Sequence, residues 1–382
     1  MSDSGRITII IEKAAFGGYG LGFHNGKAVF VSGALRGETV TAMVTEAKKY
    51  HAFAALCEVL SPSSARIEPA CPNFGRCGGC DYLHADYGAE LAMKRDILAE
   101  SLVRIAKIPY GDIPAVETVA GERFGYRSIA SVKTDSTGAV GFFRRGTNDL
   151  VAFPRGGCPL LWEPLRAFRP QAAALAHSEV KIAAGAYGAL HSELEGSPVI
   201  REVERDTVYE RSIHCFFQAN RHLRARMTDL VLEMACVGHG ERFLDLACGV
   251  GYFTIPLGMR SGSGVGRDIE PESVRWAGTN AAINGVRNLK FAVGDFARHT
   301  TRSGRFDTIV LDPPRTGLAG GAVPAITAFK AQRIVYVSCD PATFARDCAG
   351  FLKSGYRIDR LVMIDMFPAT GHIETVCLLS RE

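Results

Sequence analysis

Three textures of apolar and polar positions follow one another along the chain. Residues 7–11 form a β-branched run, 16–22 are punctuated by glycine as in a tight turn, and 28–31 and 39–44 return to strand-like composition. Short strands separated by glycine predict a small all-β barrel over residues 1–62, of a size that suits an oligonucleotide-binding module or a structural spacer. From 87 to 108, Leu91, Ile97, Leu98, Leu102 and Ile105 recur at helical spacing among charges, which predicts an amphipathic scaffold helix. Residues 126–133 and 140–145 read as sheet, so 63–215 is expected to form a central α+β domain. From Glu241 onward strands alternate with helical patterns, which predicts βαβ units around a parallel sheet and an α/β, Rossmann-like domain over 216–382.

Composition sharpens this picture only in places. With 47% apolar and 22% charged residues among 382, the chain has the mix of a folded globular protein and not of a disordered or fibrous one. A net charge of +4 neither demands nor excludes a polyanionic partner. No window approaches the roughly 18 uninterrupted apolar residues of a membrane span, and the start shows no basic segment followed by an apolar one, so a cytoplasmic protein without membrane contact is expected. Eleven scattered cysteines, several in apolar strands, argue against a disulfide framework.

Three of those cysteines stand apart. Cys71-x5-Cys77-x2-Cys80 is wrapped in glycine and proline, an array that favours zinc or an iron–sulfur cluster, and Cys158 in Gly-Gly-Cys-Pro is the expected fourth ligand. Cys57, Cys215 and Cys236 sit in stretches typical of core packing. Arg123, Arg127, Lys133, Arg144 and Arg145 alternate with Phe and Tyr, a combination that pairs with phosphates and stacks on bases, or else decorates a solvated sheet. Lys48, Lys49, Tyr50 and His51 add a similar group at one barrel edge, or a solvated turn.

In the last third, a buried strand ends at Asp245 and runs into a turn carrying Gly249 and Gly251, the next ends at Asp268, where a carboxylate can accept two ribose hydroxyls, and a third closes at Asp295, within reach of an adenine edge or serving as a helix cap. Followed by Asp312-Pro-Pro-Arg315, this spacing resembles the class I S-adenosylmethionine-dependent methyltransferases. Members that methylate exocyclic amines usually follow Pro-Pro with an aromatic; here Arg315 follows. Ser338-Cys339-Asp340-Pro341 and Glu374 then place a thiol and a carboxylate where such a domain would hold its acceptor, which points to covalent catalysis.

Taken together with Phe216-Phe-Gln218-Ala-Asn220 and Phe367-Pro-Ala-Thr-Gly-His-Ile-Glu374, these elements resemble, over nearly the whole chain, the RNA (uracil-C5-)-methyltransferases that carry an N-terminal TRAM domain and a [4Fe-4S] cluster. The resemblance implies a TRAM-type barrel, cluster ligation by Cys71, Cys77, Cys80 and Cys158, and cofactor contacts from Gln218, Asp245, Gly249, Gly251, Asp268, Asp295 and Asp312. It further implies Cys339 as nucleophile, Glu374 as general base, Phe216 against the target base and Asp312 hydrogen-bonded near it. The chemistry asks for the same groups: carbon 5 of uracil is a poor nucleophile until a thiolate adds at carbon 6, and its proton must then leave to a base. Asp340 stands where the family usually has Asn, and a charged carboxylate there is expected to raise the thiol pKa. The expectations are S-adenosylmethionine and a structural [4Fe-4S] cluster as cofactors, RNA as partner (ribosomal rather than transfer RNA), and a monomer. An amine methyltransferase leaves Cys339 and Glu374 unexplained, and a non-catalytic iron–sulfur RNA-binding protein has no use for the Asp312, Cys339 and Glu374 set. A radical enzyme would use C-x3-C-x2-C instead.

Overall fold

The structure is a computed structural model that describes residues 5–170, 179–196, 198–295 and 304–381; the start of the chain, residues 1–4, lies outside them. A six-stranded sheet comes first, in the order Arg6–Ile10, Thr39–Ala47, His51–Ser61, Lys27–Ser32, Tyr19–His24, Lys13–Ala15, antiparallel except for the parallel pair of Lys27–Ser32 with His51–Ser61. It wraps around Ile9, Ile11, Val29, Val31, Val40, Ala42, Ala52 and Ala54. Closure depends on glycine: a Cβ at Gly22 would lie 2.2 Å from the Ile10 carbonyl oxygen, so only a residue without one lets the first strand cross the third. The segment 16–22, expected to be a turn, is a hairpin whose second strand already contains Gly20 and Gly22.

A five-stranded antiparallel sheet follows, with Leu150–Ala152, Val140–Phe143, Ile129–Thr134, Glu179–Ala184 and Leu190–Ser192 in that order. Several of the basic residues that alternate with aromatics have partners in the fold, while Arg144 and Arg145 stay 50% and 41% exposed. Arg123 donates to the carbonyls of Tyr82 and Ala85 and to Glu90, Arg145 pairs with Asp81, and Lys133 pairs with Glu179. The Arg123 and Arg145 contacts tie this region to its neighbours, and Lys133 with Glu179 joins two strands within the sheet.

The largest sheet has eight strands in the order Leu289–Val293, Ser263–Asp268, Arg242–Leu246, Thr308–Leu311, Arg333–Ser338, Glu374–Arg381, Tyr356–Ile364, Val116–Val119. Only Glu374–Arg381 runs against its neighbours. Alternate side chains point to opposite faces, as a pleated strand requires. Leu244, Leu246, Ile309, Leu311, Ile334 and Tyr336 meet helices Tyr87–Ser101, Ala322–Thr327 and Pro341–Lys353 on one side. Phe243, Val310, Val335 and Val337 meet Arg224–Ala235 and Thr254–Gly258 on the other. The expected helix from 87 is therefore no isolated scaffold. With the edge strand Val116–Val119, it makes part of 63–215 a layer of the large sheet's own core. Among the described residues no helix is long and apolar enough to cross a membrane.

One buried polar knot joins that helix to the loop before the last strand. Lys94 Nζ donates to Glu90 Oε1 (2.8 Å), Asp365 Oδ1 (2.7 Å) and the Phe367 carbonyl (3.1 Å), while Glu90 Oε1 also accepts from the Ala369 N–H (2.6 Å). Removing Lys94 leaves Asp365 buried without a cation and Glu90 with Arg123 alone. Lys94→Met is expected to lower unfolding free energy by about 3–5 kcal/mol in urea titrations, with partial recovery when Glu90→Gln and Asp365→Asn are added. A loss below about 1 kcal/mol would show that the knot is not closed in solution.

Candidate active site

The strand order reverses between Arg242–Leu246 and Thr308–Leu311, and a crevice opens outside the carboxyl ends there, as in doubly wound sheets generally. A cavity of about 1090 Å3 fills it. Its lining gathers Phe216, Gln218, Gly249, Asp268, Asp295, Asp312, Cys339 and Glu374 from segments spread over almost 160 positions. Asp245 and Gly251, expected to touch a cofactor, stand behind this wall. Asp245 is fully buried and accepts from the Thr254 hydroxyl, and Gly251 backs onto Ile255 and Ala277.

The first turn is built for close approach. Ala247 has φ +66° and Gly249 φ +54°, and the Gly249 N–H donates to Asp268 Oδ2 (2.7 Å). A Cβ at Gly249 would meet nothing within 4 Å, so the backbone faces open space. Asp268 Oδ1 also accepts from the Glu270 N–H (2.9 Å), so this carboxylate holds the turn as well as facing the cavity. Burial and the charge of Asp268 raise the Asp245 pKa to about 7 against the opposing Thr254 hydrogen bond, while burial and the charges of Asp245 and Asp268 push Asp312 up to about 8. Asp245 Oδ1 has no hydrogen-bond partner. Asp268 and Asp295 line the cavity on this side, acids that suit a ligand bearing hydroxyl groups and positive charge.

Cys339 and Glu374 are brought together by strand register. Ser338 pairs with Thr375 across the antiparallel ladder, so the next residue in one direction and the previous one in the other face each other at the sheet end. Burial, then Glu374 and Asp312, push the Cys339 thiol up to about 12, and Arg315 opposes them. Glu374 is 4% exposed, and burial with the Asp312 charge raises its carboxyl well above the usual range. The thiol therefore carries its proton at neutral pH in the free site, and the carboxyl keeps its proton to higher pH than an exposed glutamate does.

The expected effect of Asp340 on the thiol is not what the structure shows. Its carboxylate accepts from the Ala342 and Thr343 N–H groups (3.0 and 2.8 Å) as the N-cap of Pro341–Lys353, a role Asn and Asp fill about equally. The acids acting on Cys339 are Glu374 and Asp312.

Two residues escaped the sequence reading as site members. Arg315 Nη2 donates to His372 Nε2 (3.1 Å), and burial followed by the Arg315 charge lowers the His372 pKa to about 4, so the ring stays neutral and can accept. Both lie inside motifs that were noticed, but only the folded chain shows them meeting. Together with Cys339 they also line a second groove of about 520 Å3, walled by Phe16 and Gly17 of the barrel and by Phe143, Arg144 and Arg145 of the central sheet. Two approaches thus meet at one thiol.

Cys71, Cys77, Cys80 and Cys158 line a small cavity of about 20 Å3 with Phe74, Leu83, Phe142 and Phe153. Burial and the neighbouring sulfurs of Cys158, Cys77 and Cys71 push the Cys80 thiol far up. Among the described residues no group of three or more His, Cys, Asp or Glu is drawn in to the spacing of a single metal ion.

Comparison with known proteins agrees with this architecture. Residues 197–382 match the family tRNA (Uracil-5-)-methyltransferase, and residues 5–57 match the TRAM domain. The chain is 33% identical to the 23S rRNA (uracil(1939)-C(5))-methyltransferase RlmD of Aeromonas hydrophila, over 99% of this chain and 97% of that one. It is likewise 33% identical to the protein of that name from Cronobacter sakazakii, covering 98% and 96%. Among solved structures it resembles Pyrococcus abyssi tRNA (uracil-54, C5)-methyltransferase in complex with S-adenosyl-L-homocysteine, with 25% identity, a TM-score of 0.75 and coverage of 98% and 100%.

The raised thiol gives a direct expectation. Iodoacetamide alkylation of Cys339, followed peptide by peptide in mass spectra, should speed up about tenfold per pH unit from about pH 7 to 9.5 without levelling, because only the thiolate reacts. A plateau inside that range would mean the thiol is not raised.

Proposed function

The chain belongs to the RNA (uracil-C5-)-methyltransferases, and from that premise we propose that it methylates a uridine of ribosomal RNA through a covalent bond between Cys339 and carbon 6 of the base. Methylation of uracil carbon 5 in RNA is the activity of the family. Ribosomal rather than transfer RNA is favoured by the end-to-end match to the ribosomal enzymes. The observation that carries the proposal is the meeting of two approaches at Cys339, with Glu374 across the ladder from it. The larger cavity suits S-adenosylmethionine and the groove between barrel and central sheet suits the RNA.

S-adenosylmethionine, when bound, supplies an electrophilic methyl on a positively charged sulfur. Gln218, Gly249, Asp268, Asp295 and Asp312 are the residues that would hold it. Phe216, 67% exposed at the cavity wall, offers a ring against which an unstacked base can rest, and a base within folded RNA must leave its stack to reach the thiol. Cys339 gives its proton up to water, a loss that Arg315 favours, and its sulfur bonds carbon 6, which moves electron density onto carbon 5. After carbon 5 has gained its methyl, Glu374 takes the proton from it, the double bond re-forms and the sulfur leaves. Arg315 favours the ionised forms of both groups.

Cys71, Cys77, Cys80 and Cys158 would hold a [4Fe-4S] cluster with no open iron, in a structural role; zinc is the second reading. The support is that the four cysteines, from two separate loops, line one small apolar cavity, a thiol-only donor set of the kind iron–sulfur clusters and zinc use. A single chain supplies both approaches to Cys339, so a monomer suffices, acting in the cytoplasm where ribosomal RNA is processed.

Cys339→Ala should abolish methylation of unmodified ribosomal RNA while S-adenosylmethionine still binds, and Glu374→Gln should slow turnover about 100- to 10 000-fold while the protein–RNA adduct accumulates. Turnover by the alanine variant ends the covalent scheme. Because both groups have raised pKa values, kcat/KM should climb with pH through neutrality; a fall from about pH 6 to 9 would reverse the assignment. Anaerobically prepared protein should be brown and contain iron, and a colourless, iron-free and active preparation would remove the cluster.

A further inference from the structure

Asp81 is an acid in a wall that should have none. It lines the groove assigned to RNA beside Arg144, Arg145 and Arg315, where a carboxylate works against phosphate binding, and its side chain is 13% exposed. Its partners come from separate parts of the chain. Oδ2 accepts from the Gly371 N–H at 2.6 Å, Oδ1 pairs with Arg145 of the central sheet, and the Asp81 and Tyr82 N–H groups donate to the Ala369 carbonyl at 2.8 and 3.0 Å. The barrel closes on the same point. A Cβ at Gly18 would lie 2.4 Å from the Asp81 Cβ, one at Gly371 would lie 3.0 Å from the Gly18 nitrogen, and Arg145 Nη1 donates to the Gly17 carbonyl at 3.3 Å.

What Asp81 holds leads to the reacting groups. Gly371 is followed by His372, whose Nε2 accepts from Arg315 at 3.1 Å, and the same short segment enters the last strand at Glu374. Arg315 is the cation that favours the ionised forms of Cys339 and Glu374. Within its own loop, His372 has a long hydrogen bond from its N–H to the Thr370 hydroxyl (3.3 Å) and an edge-on contact with the Phe367 ring (5.5 Å). The short bond to Asp81 one residue earlier is the firmer anchor.

We propose that Asp81 is a positioning residue for methyl transfer, its carboxylate fixing the segment 371–374 so that His372 keeps Arg315 beside the thiol and the general base. The inference rests on the Cys339 and Glu374 assignment above and adds a catalytic task for the cysteine loop, because Asp81 directly follows Cys80. A cation acts on a thiol according to its distance, and an arginine left free turns to the phosphates of the groove instead. The charge of Asp81 cannot be what helps, since a nearby carboxylate disfavours a thiolate. Its benefit is therefore positional.

The test uses the full chain and separates position from charge. Asp81→Asn keeps an acceptor oxygen at the same reach and drops the charge, whereas Asp81→Glu keeps the charge and shifts it by a methylene. Iodoacetamide alkylation of Cys339 at about pH 8.5, without RNA and read peptide by peptide, should stay within about twofold of wild type in the asparagine variant. In Asp81→Glu and Asp81→Ala it should slow about three- to tenfold, and kcat on unmodified ribosomal RNA should fall at least as far, with the Kd for S-adenosylmethionine unchanged. His372→Leu, which cannot accept from Arg315, should slow alkylation equally and add nothing to Asp81→Glu, as two residues acting through one contact do. Wild-type alkylation in Asp81→Glu overturns the proposal, and so does an asparagine variant as slow as the alanine one. If Asp81→Ala fails to melt as a folded protein, the asparagine and glutamate variants decide. Should the unaltered chain methylate no RNA, the covalent reading falls, while the alkylation series still judges Asp81.

Discussion

A single reversed strand makes the chemistry of this chain possible. Glu374–Arg381 slots antiparallel between Arg333–Ser338 and Tyr356–Ile364, and its first residue therefore arrives at the same sheet edge where its neighbour ends in Cys339. In a wholly parallel sheet a strand's beginning lies at the opposite edge, a strand length away. The register also resists slippage, since a shift by one residue would turn Val376, fully buried on one face, toward the other and carry Glu374 away from the thiol. The loop feeding this strand is held by Lys94, Glu90 and Asp365, so a helix from the first third of the chain fixes the approach of a residue near its end.

The site's electrostatics follow from that crowding. Burial raises the pKa of Cys339, Glu374 and Asp312, and their proximity adds to it; Arg315 is the cation that acts on both the thiol and the glutamate. Raised pKa values spare the free site naked charge in low dielectric between turnovers. It also leaves the thiol unreactive toward stray electrophiles until a substrate occupies the crevice. Asp268 does a different task on the far wall, where its carboxylate both holds the Gly249 turn and faces the cavity, with Asp245 buried behind it.

Parts of this could be read from residues in order. The turn after Asp245, the acids closing successive strands, the Asp-Pro-Pro-Arg turn and the cysteine array are local patterns, since a strand that ends in a glycine turn or a loop rich in small residues advertises its backbone within a few positions. Other parts were misjudged for reasons equally physical. A sequence shows charges and not their partners: folded, Arg123 and Lys133 meet Glu90 and Glu179, while Arg145, paired with Asp81, still lines the groove that reaches Cys339. Asp340 looked like a threat to the thiol because it is adjacent in sequence, yet the helix it caps turns its carboxylate toward backbone N–H groups. The strand His51–Ser61 escaped notice because its inward positions are alanines and its large rings point out, the reverse of the usual alternation.

By itself, then, the sequence determined the class of each third of the chain and the kinds of group available, because hydrophobic period, turn chemistry and ligand spacing act over a few residues at a time. Only the tertiary structure decided which of those groups meet: that residue 374 faces residue 339, that Arg315 and His372 join them, that Asp245 and Gly251 retreat behind the cavity wall, and that barrel, central sheet and large sheet share one groove. The physical reason is that pairing register and the burial of charge depend on contacts between segments tens to hundreds of positions apart, and no local pattern carries that information.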